Sequence, residues 1–336
     1  MVLELYSTGA LHQRVEELLT AIGVLDSESR DIVGLSALLT LCNFQDLATF
    51  MNLLELTGGD KTFDQFQADI RSRDLVGLLS MNQRDIILRS PALSQFVIRR
   101  IFGLKNILMI ALRALNYIDK NLADEDDFFS FAKVLLKYST YTHFVSSKND
   151  SVVMGDFYDQ CRILRFAQKD PLFWVQRSIC SMISNDFTSA EKFVETSFAT
   201  ARNLRNFDTY QIENHSARLT LTRSLIHGVS DRGEKELAAS NRLQTVLSRK
   251  SDDLYHPLSV MSLFSKIVEK HSHGFDQEQR AAFISAIDSS IQSIASAGSL
   301  SSRFRRLPEL ENSLKAAKAT LSNQIRRQKG DESSRR

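Results

Sequence analysis

The chain has 336 residues, 43% of them hydrophobic and 24% charged, which is the make-up of an ordinary soluble globular protein. Only 13 Gly and 4 Pro exclude a turn-rich all-β fold and point to helix. The net charge of +2 is uneven: residues 301–336 hold ten Lys and Arg against four Asp and Glu, a basic end that predicts a frayed, solvated tail.

Residues 1–28 read as an N-terminal helix, with Leu11, Val15, Leu18, Leu19 and Ile22 on one stripe and Asp26 and Ser27 at its end. Glu4 stands where a secretory signal carries basic residues, so no signal peptide is expected. Three helical patterns follow. The first places Leu35, Leu38, Leu39 and Cys42 inward, the second Leu47, Phe50, Met51 and Leu54, and the third Phe63, Phe66 and Ile70. The period then changes: "LVGLLSM" and "DIILRS", joined by "NQR", read as a β-hairpin. Three helices and a hairpin predict a winged-helix-like module over residues 29–90.

From Pro91 onward every segment reads as helix. Ser90 and Pro91 are an N-cap and first-turn pair. "ILMIAL", Ile107–Leu112, is the longest apolar run, flanked by Lys105 and Arg113, and is too short to span a membrane. The acids Asp124–Asp127 suit a helix N-terminus better than a metal, because neighbours on a helix point apart. Asp170 and Pro171 open a helix with Val175, Ile179, Met182 and Ile183 inward. "SND" stops it, and a second helix starts near Thr188.

This pair resembles a tetratricopeptide repeat. Trp174, Ser178, Phe187, Ala190, Val194 and Ser197 stand at the repeat's large and small positions, with Ser178 and Ser181 replacing its usual glycine and tyrosine. The small residues let the helices approach, and Trp174 fills the wedge beside them. Further helices follow from Asp208 or Thr209 to Arg327, so an α-solenoid is expected over 91–322 and a basic, disordered tail over 323–336.

Several patches invite chemistry. "GGDKT", Gly58–Thr62, lacks the Gly-Lys pair and preceding strand of a phosphate loop. His271 and His273 lack a third metal ligand and read as helix-end cations. Tyr210, Gln211, Asn214, His215 and Arg218 form the densest polar patch, the last four at helical i, i+3, i+4 and i+7 spacing. The patch reads either as a hydrogen-bonded ladder between helix pairs or as a partner-binding face. The third helix of the module mixes Asp64, Asp69 and Asp74 with Arg71 and Arg73, which a DNA-reading helix would not.

A module ending in "IILRSPALSQFVIRRIF" followed by helical repeats resembles the region beyond the core of STAND-type P-loop NTPases. Residues 170–219 resemble the C-terminal repeats of bacterial antiphage-type proteins of that class. The resemblance implies a module that senses a trigger, here without the NTPase core. The chain is therefore expected to be mainly α, a winged-helix-like module followed by a tetratricopeptide-like α-solenoid. The expected function is a non-catalytic protein-interaction or sensor module in the cytoplasm, with no cofactor, metal or membrane. Cys42, Cys161 and Cys180, which form no CxxC pair, suit that reducing compartment. The alternative is a nucleic-acid-associated regulator using the winged helix or the basic tail.

Overall fold

A computed structural model describes residues 9–82, 84–122, 124–249, 255–296 and 307–333. The fold is mainly α, 81% helical, with a small β-hairpin near the N-terminus. The chain divides into two compact units, residues 1–184 and 185–336.

In the first unit, α1 (Gly9–Gly23) leads into α2 (Ser27–Leu41), whose N-cap Asp26 accepts the backbone N–H of Glu28 and Ser29. Every α2 residue from Ile32 to Thr40 is buried, which makes it the unit's central helix. The next helices, α3 (Phe50–Thr57) and α4 (Phe63–Ser72), start where the sequence places caps. Thr49 accepts from Asn52 N, and Thr62 and Gln65 close a capping box.

The expected hairpin is present as antiparallel β1 (Leu79–Asn82) and β2 (Asp85–Leu88), in register Leu79–Leu88 and Met81–Ile86. The segment before α3 joins it: Thr49 bridges Asp85, and Ile86 N donates to Ala48 O at 2.8 Å. From the middle of α2, the hydroxyl of Ser36 donates to Ile86 O at 2.5 Å, tying helix to hairpin.

Helix α5 (Pro91–Val97), capped by Ser90, passes through a π turn (Ile98–Phe102) into α6 (Gly103–Asn121). Gly103 turns the chain there with φ of 63°, a value that a side chain would strain. Helices α2 and α6 cross at Gly34, where an added Cβ would lie 2.6 Å from Ile110 Cδ1. By length and composition, Pro91–Asn121 does qualify as a membrane-crossing stretch, contrary to the expectation from "ILMIAL", with mean hydropathy 1.4 and half of that window buried. Its inner face, Ile107, Ala111, Ala114, Leu115 and Ile118, belongs to the unit's hydrophobic core.

Helices α7 (Asp126–Leu135), α8 (Lys148–Cys161) and α9 (Arg165–Lys169) complete the surround. Asp119 of α6 holds α9, accepting from Phe166 N at 3.2 Å and from the Arg165 guanidinium. Then α10 (Pro171–Ile183) begins at the expected Asp170 cap. Its fully buried aromatic is Phe173, set against Tyr158; Trp174, the expected wedge, is only half-buried, and Ile183 is 44% exposed.

The second unit holds α11 (Phe187–Arg202), α12 (Tyr210–His227), α13 (Glu234–Arg249), α14 (Tyr255–His271), α15 (Gln277–Ser296) and α16 (Leu307–Ser333). Here α12 packs on α11, α13 and α14, α15 packs on α13 and α16, and α14 packs on α16. The core runs through Leu221, Leu243, Met261, Phe264, Phe283, Ile287, Leu314 and Leu321. Glu236, buried at the start of α13, accepts from the hydroxyls of Ser224 and Ser230 and from Ser230 N.

Two expectations change. The division between units falls inside "SND", so α10 and α11, the pair likened to one repeat, belong to different units, and no solenoid is evident over 91–322. The turn has the sequence of any helix-hairpin turn, with Asn185 at φ of 61° and Asp186 capping α11, so it carries no mark of a unit boundary. The tail expected to be disordered from 323 instead continues α16 to Ser333, while residues 334–336 lie outside the described residues. Apart from Gly330, residues 323–333 contain no helix breaker that would stop it.

Candidate interaction surfaces

The polar patch on α12 is split by its surroundings. Gln211 and Arg218 are exposed and Asn214 is half-buried, so these three keep contact with water along one edge. Tyr210 and His215 turn inward with Ile212 and Leu219. The cause is coverage: three helices pack on α12, leaving little of its circumference free. Burial drives the His215 pKa down from 6.5 to about 3, with the Arg218 charge adding to the fall, so the ring is neutral in the folded chain.

The structure brings together a different set in the second unit. A groove of about 440 Å³ runs between α11 and α13, with Arg202 and Phe198 on one side, Arg242, Thr245 and Arg249 on the other and Glu213 of α12 in its lining. Glu213 accepts from Thr209 Oγ1 at 2.6 Å and pairs with Arg249 at 3.2 Å, while Arg242 donates to the Ser216 hydroxyl. Arg242 and Arg249 are seven residues apart, two turns on one face, and that spacing was readable in advance. Arg202, forty residues earlier, was not.

In the first unit a groove of about 650 Å³ lies between α6 and α8, lined by Leu112, Asn116, Asp156, Asp159, Gln160 and Ile163. Ile163 is 71% exposed, Val152 on α8 58% and Met109 on α6 43%. Asp159 pairs with Arg177 at 2.9 Å, whereas Asp156 has no ion pair among the described residues. The sequence signal was available: Val152, Asp156, Asp159 and Ile163 recur at helical spacing and mark a stripe that is apolar yet interrupted by acids.

The other patches are structural. The Gly58–Thr62 loop is pinned to the start of α2: Lys61 Nζ donates to Asp26, Ser29 and Asp69, and Lys61 N donates to Glu28 Oε1. His271 Nε2 meets Leu225 O at 2.9 Å, tying α14 to α12 rather than capping its own helix. Burial raises the thiol pKa of Cys42 to about 12 and of Cys180 to about 11, and raises that of Cys161 further, so all three stay protonated and unreactive near neutral pH. Among the described residues, no cluster of three or more His, Cys, Asp or Glu forms a metal site.

No protein-family model, curated protein or solved structure matches the chain.

Proposed function

We propose that the chain is a non-catalytic protein-interaction or sensor module of the cytoplasm, of the kind that accompanies the core of a STAND-type P-loop NTPase in bacterial antiphage defence. The observation that carries the interaction role is the α6–α8 groove, where exposed Ile163 and half-buried Leu112 lie beside the carboxylate of Asp156, which has no ion pair among the described residues. Apolar side chains gathered in a groove, with acids at its rim, suit an amphipathic helix carrying Lys or Arg along its edges.

Two packing features support the architecture. The Ala48–Phe50 segment joins the hairpin as the short third strand of a winged helix would. In the second unit α12 packs on α14, α13 on α15 and α14 on α16, the two-places-along contact that stacked helix pairs make. The alternative role in binding nucleic acid has less support. The mixed charge of α4 is unchanged, and Lys61, just before it, is occupied by Asp26 and Asp69. We read Pro91–Asn121 as a core element rather than a membrane span, because its buried face is continuous with the core of its unit.

Selection of displayed peptides on the full chain tests the groove. Sequences with an apolar stripe edged by Lys or Arg should be enriched, and Ile163→Asp should weaken them by about tenfold or more, the worth of one buried aliphatic side chain. No enrichment, or enriched peptides indifferent to Ile163→Asp, overturns the proposal.

A further inference from the structure

The arginine groove of the second unit has a charge balance that its own side chains do not settle. Arg202, Arg242 and Arg249 face it, against the single carboxylate of Glu213. Glu213 is already engaged by Arg249 and Thr209. Among the described residues neither Arg202 nor Arg242 has a carboxylate partner; Arg242 donates only to the hydroxyl of Ser216, which orients its guanidinium and leaves the remaining N–H groups free. Guanidinium groups recognise carboxylates through paired, parallel hydrogen bonds.

We infer that this groove binds an acidic segment of a partner protein, with carboxylates that meet Arg202 and Arg242 and an apolar side chain that lies against Phe198. Phe198 is only partly covered and gives the groove an apolar patch between its charges. The lining also discriminates between anions. A peptide brings N–H donors to Glu213 and to the amide of Asn241 as well as carboxylates to the arginines. A phosphodiester backbone brings charge and acceptors, which Glu213 repels.

This surface extends the interaction reading to the second unit and rests on different side chains, so Ile163→Asp and the arginine variants fail separately. The probes are three fluorescent ligands, titrated onto the full chain at low and at moderate salt. One is a ten-residue peptide of Asp and Glu around a central Leu, one is its Asn and Gln counterpart, and one is a single-stranded oligonucleotide of equal charge. The acidic peptide should bind, more weakly as salt rises, and its amide counterpart should not. Arg202→Gln combined with Arg242→Gln should weaken it by roughly tenfold or more, since both groups are removed from the contact. Both arginines are exposed, so the double variant should melt with the parent chain. The proposal is overturned if the oligonucleotide binds in preference, if both peptides bind alike, or if the double variant binds as the parent does. It is equally overturned if the chain self-associates and the double variant dissolves the oligomer, because the groove's occupant is then the chain itself.

Discussion

The ammonium group of Lys61 lies 2.6 Å from the carboxylate of Asp26, thirty-five residues back in the chain. The same Nζ reaches Asp69 at 2.5 Å, so one largely covered cation joins the cap of α2, the loop after α3 and the middle of α4. Burial works to raise the pKa of Asp26, but hydrogen bonds from Lys61 and from Ser29 outweigh it and hold the carboxyl well below its ordinary value.

Lys61→Met should therefore destabilise the chain by about 1–3 kcal/mol, by removing the cation that Asp26 and Asp69 share and leaving them only neutral donors. The acid response follows from the sign of the shift. Asp26 is more acidic folded than unfolded, so its contribution is whole above the unfolded pKa of about 3.9 and is lost as pH falls below it. Urea midpoints at neutral and acid pH should converge for parent and variant. Equal midpoints at pH 7 would show that the loop is held by something else.

His215 has the opposite protonation chemistry and the same direction of loss. The unfolded chain takes up a proton below about 6.5, while the buried ring resists until about 3. Stability should thus fall by about 1.4 kcal/mol per pH unit across that window from this group alone. His215→Leu should flatten the slope. Arg218→Ala, at an exposed position, should change melting little yet move the His215 titration, followed by NMR, upward, because one source of the depression is gone. A His215 signal that titrates near 6.5 contradicts its burial.

Phe173 and Trp174 should separate cleanly in chemical denaturation. Phe173→Ala removes a fully buried ring set against Tyr158 and should cost about 3–5 kcal/mol. Trp174 is half-buried, under the Arg162 guanidinium at 5.8 Å, and Trp174→Ala should cost about half as much. The reverse order would restore Trp174 as the main wedge of its helix.

Glu236→Ala should cost about 3 kcal/mol, since Ser224 and Ser230 would lose their shared acceptor inside the second unit. Thermal melting measures it. A loss below about 0.5 kcal/mol would mean that the serines find other partners.

Local signals in the sequence were the faithful ones. Ser90 with Pro91 and Asp170 with Pro171 cap helices as read, because a cap depends on residues within one turn. The hairpin showed through its change of period. What depends on distant neighbours was not legible. The stripe drawn from Gln211 to Arg218 assumed one covered face on α12, whereas helices on several sides bury His215 and Tyr210 as well. The arginine groove collects side chains from residues 198 to 249, and no window of one helix contains it. The unit boundary at "SND" was hidden for the same reason, since a turn's residues report its bend and not which helices pack beyond it.

The corner at Gly103 sets a counting rule for the chain. Upstream, α5 is held by α2 and β2, and downstream, α6 is held by α2, α3, α7 and α8. With both ends fixed, one residue more or fewer in Ile98–Phe102 would swing every α6 side chain by about 100°. Buried Ile107, Ala111, Ala114 and Ile118 would trade places with neighbours drawn from the wet side, where Lys105, Met109, Arg113 and Lys120 stand. Substitution is open at exposed Arg99 and Arg100, but the length of the stretch is fixed. An insertion that a surface loop would absorb unnoticed would here turn the first unit's core inside out.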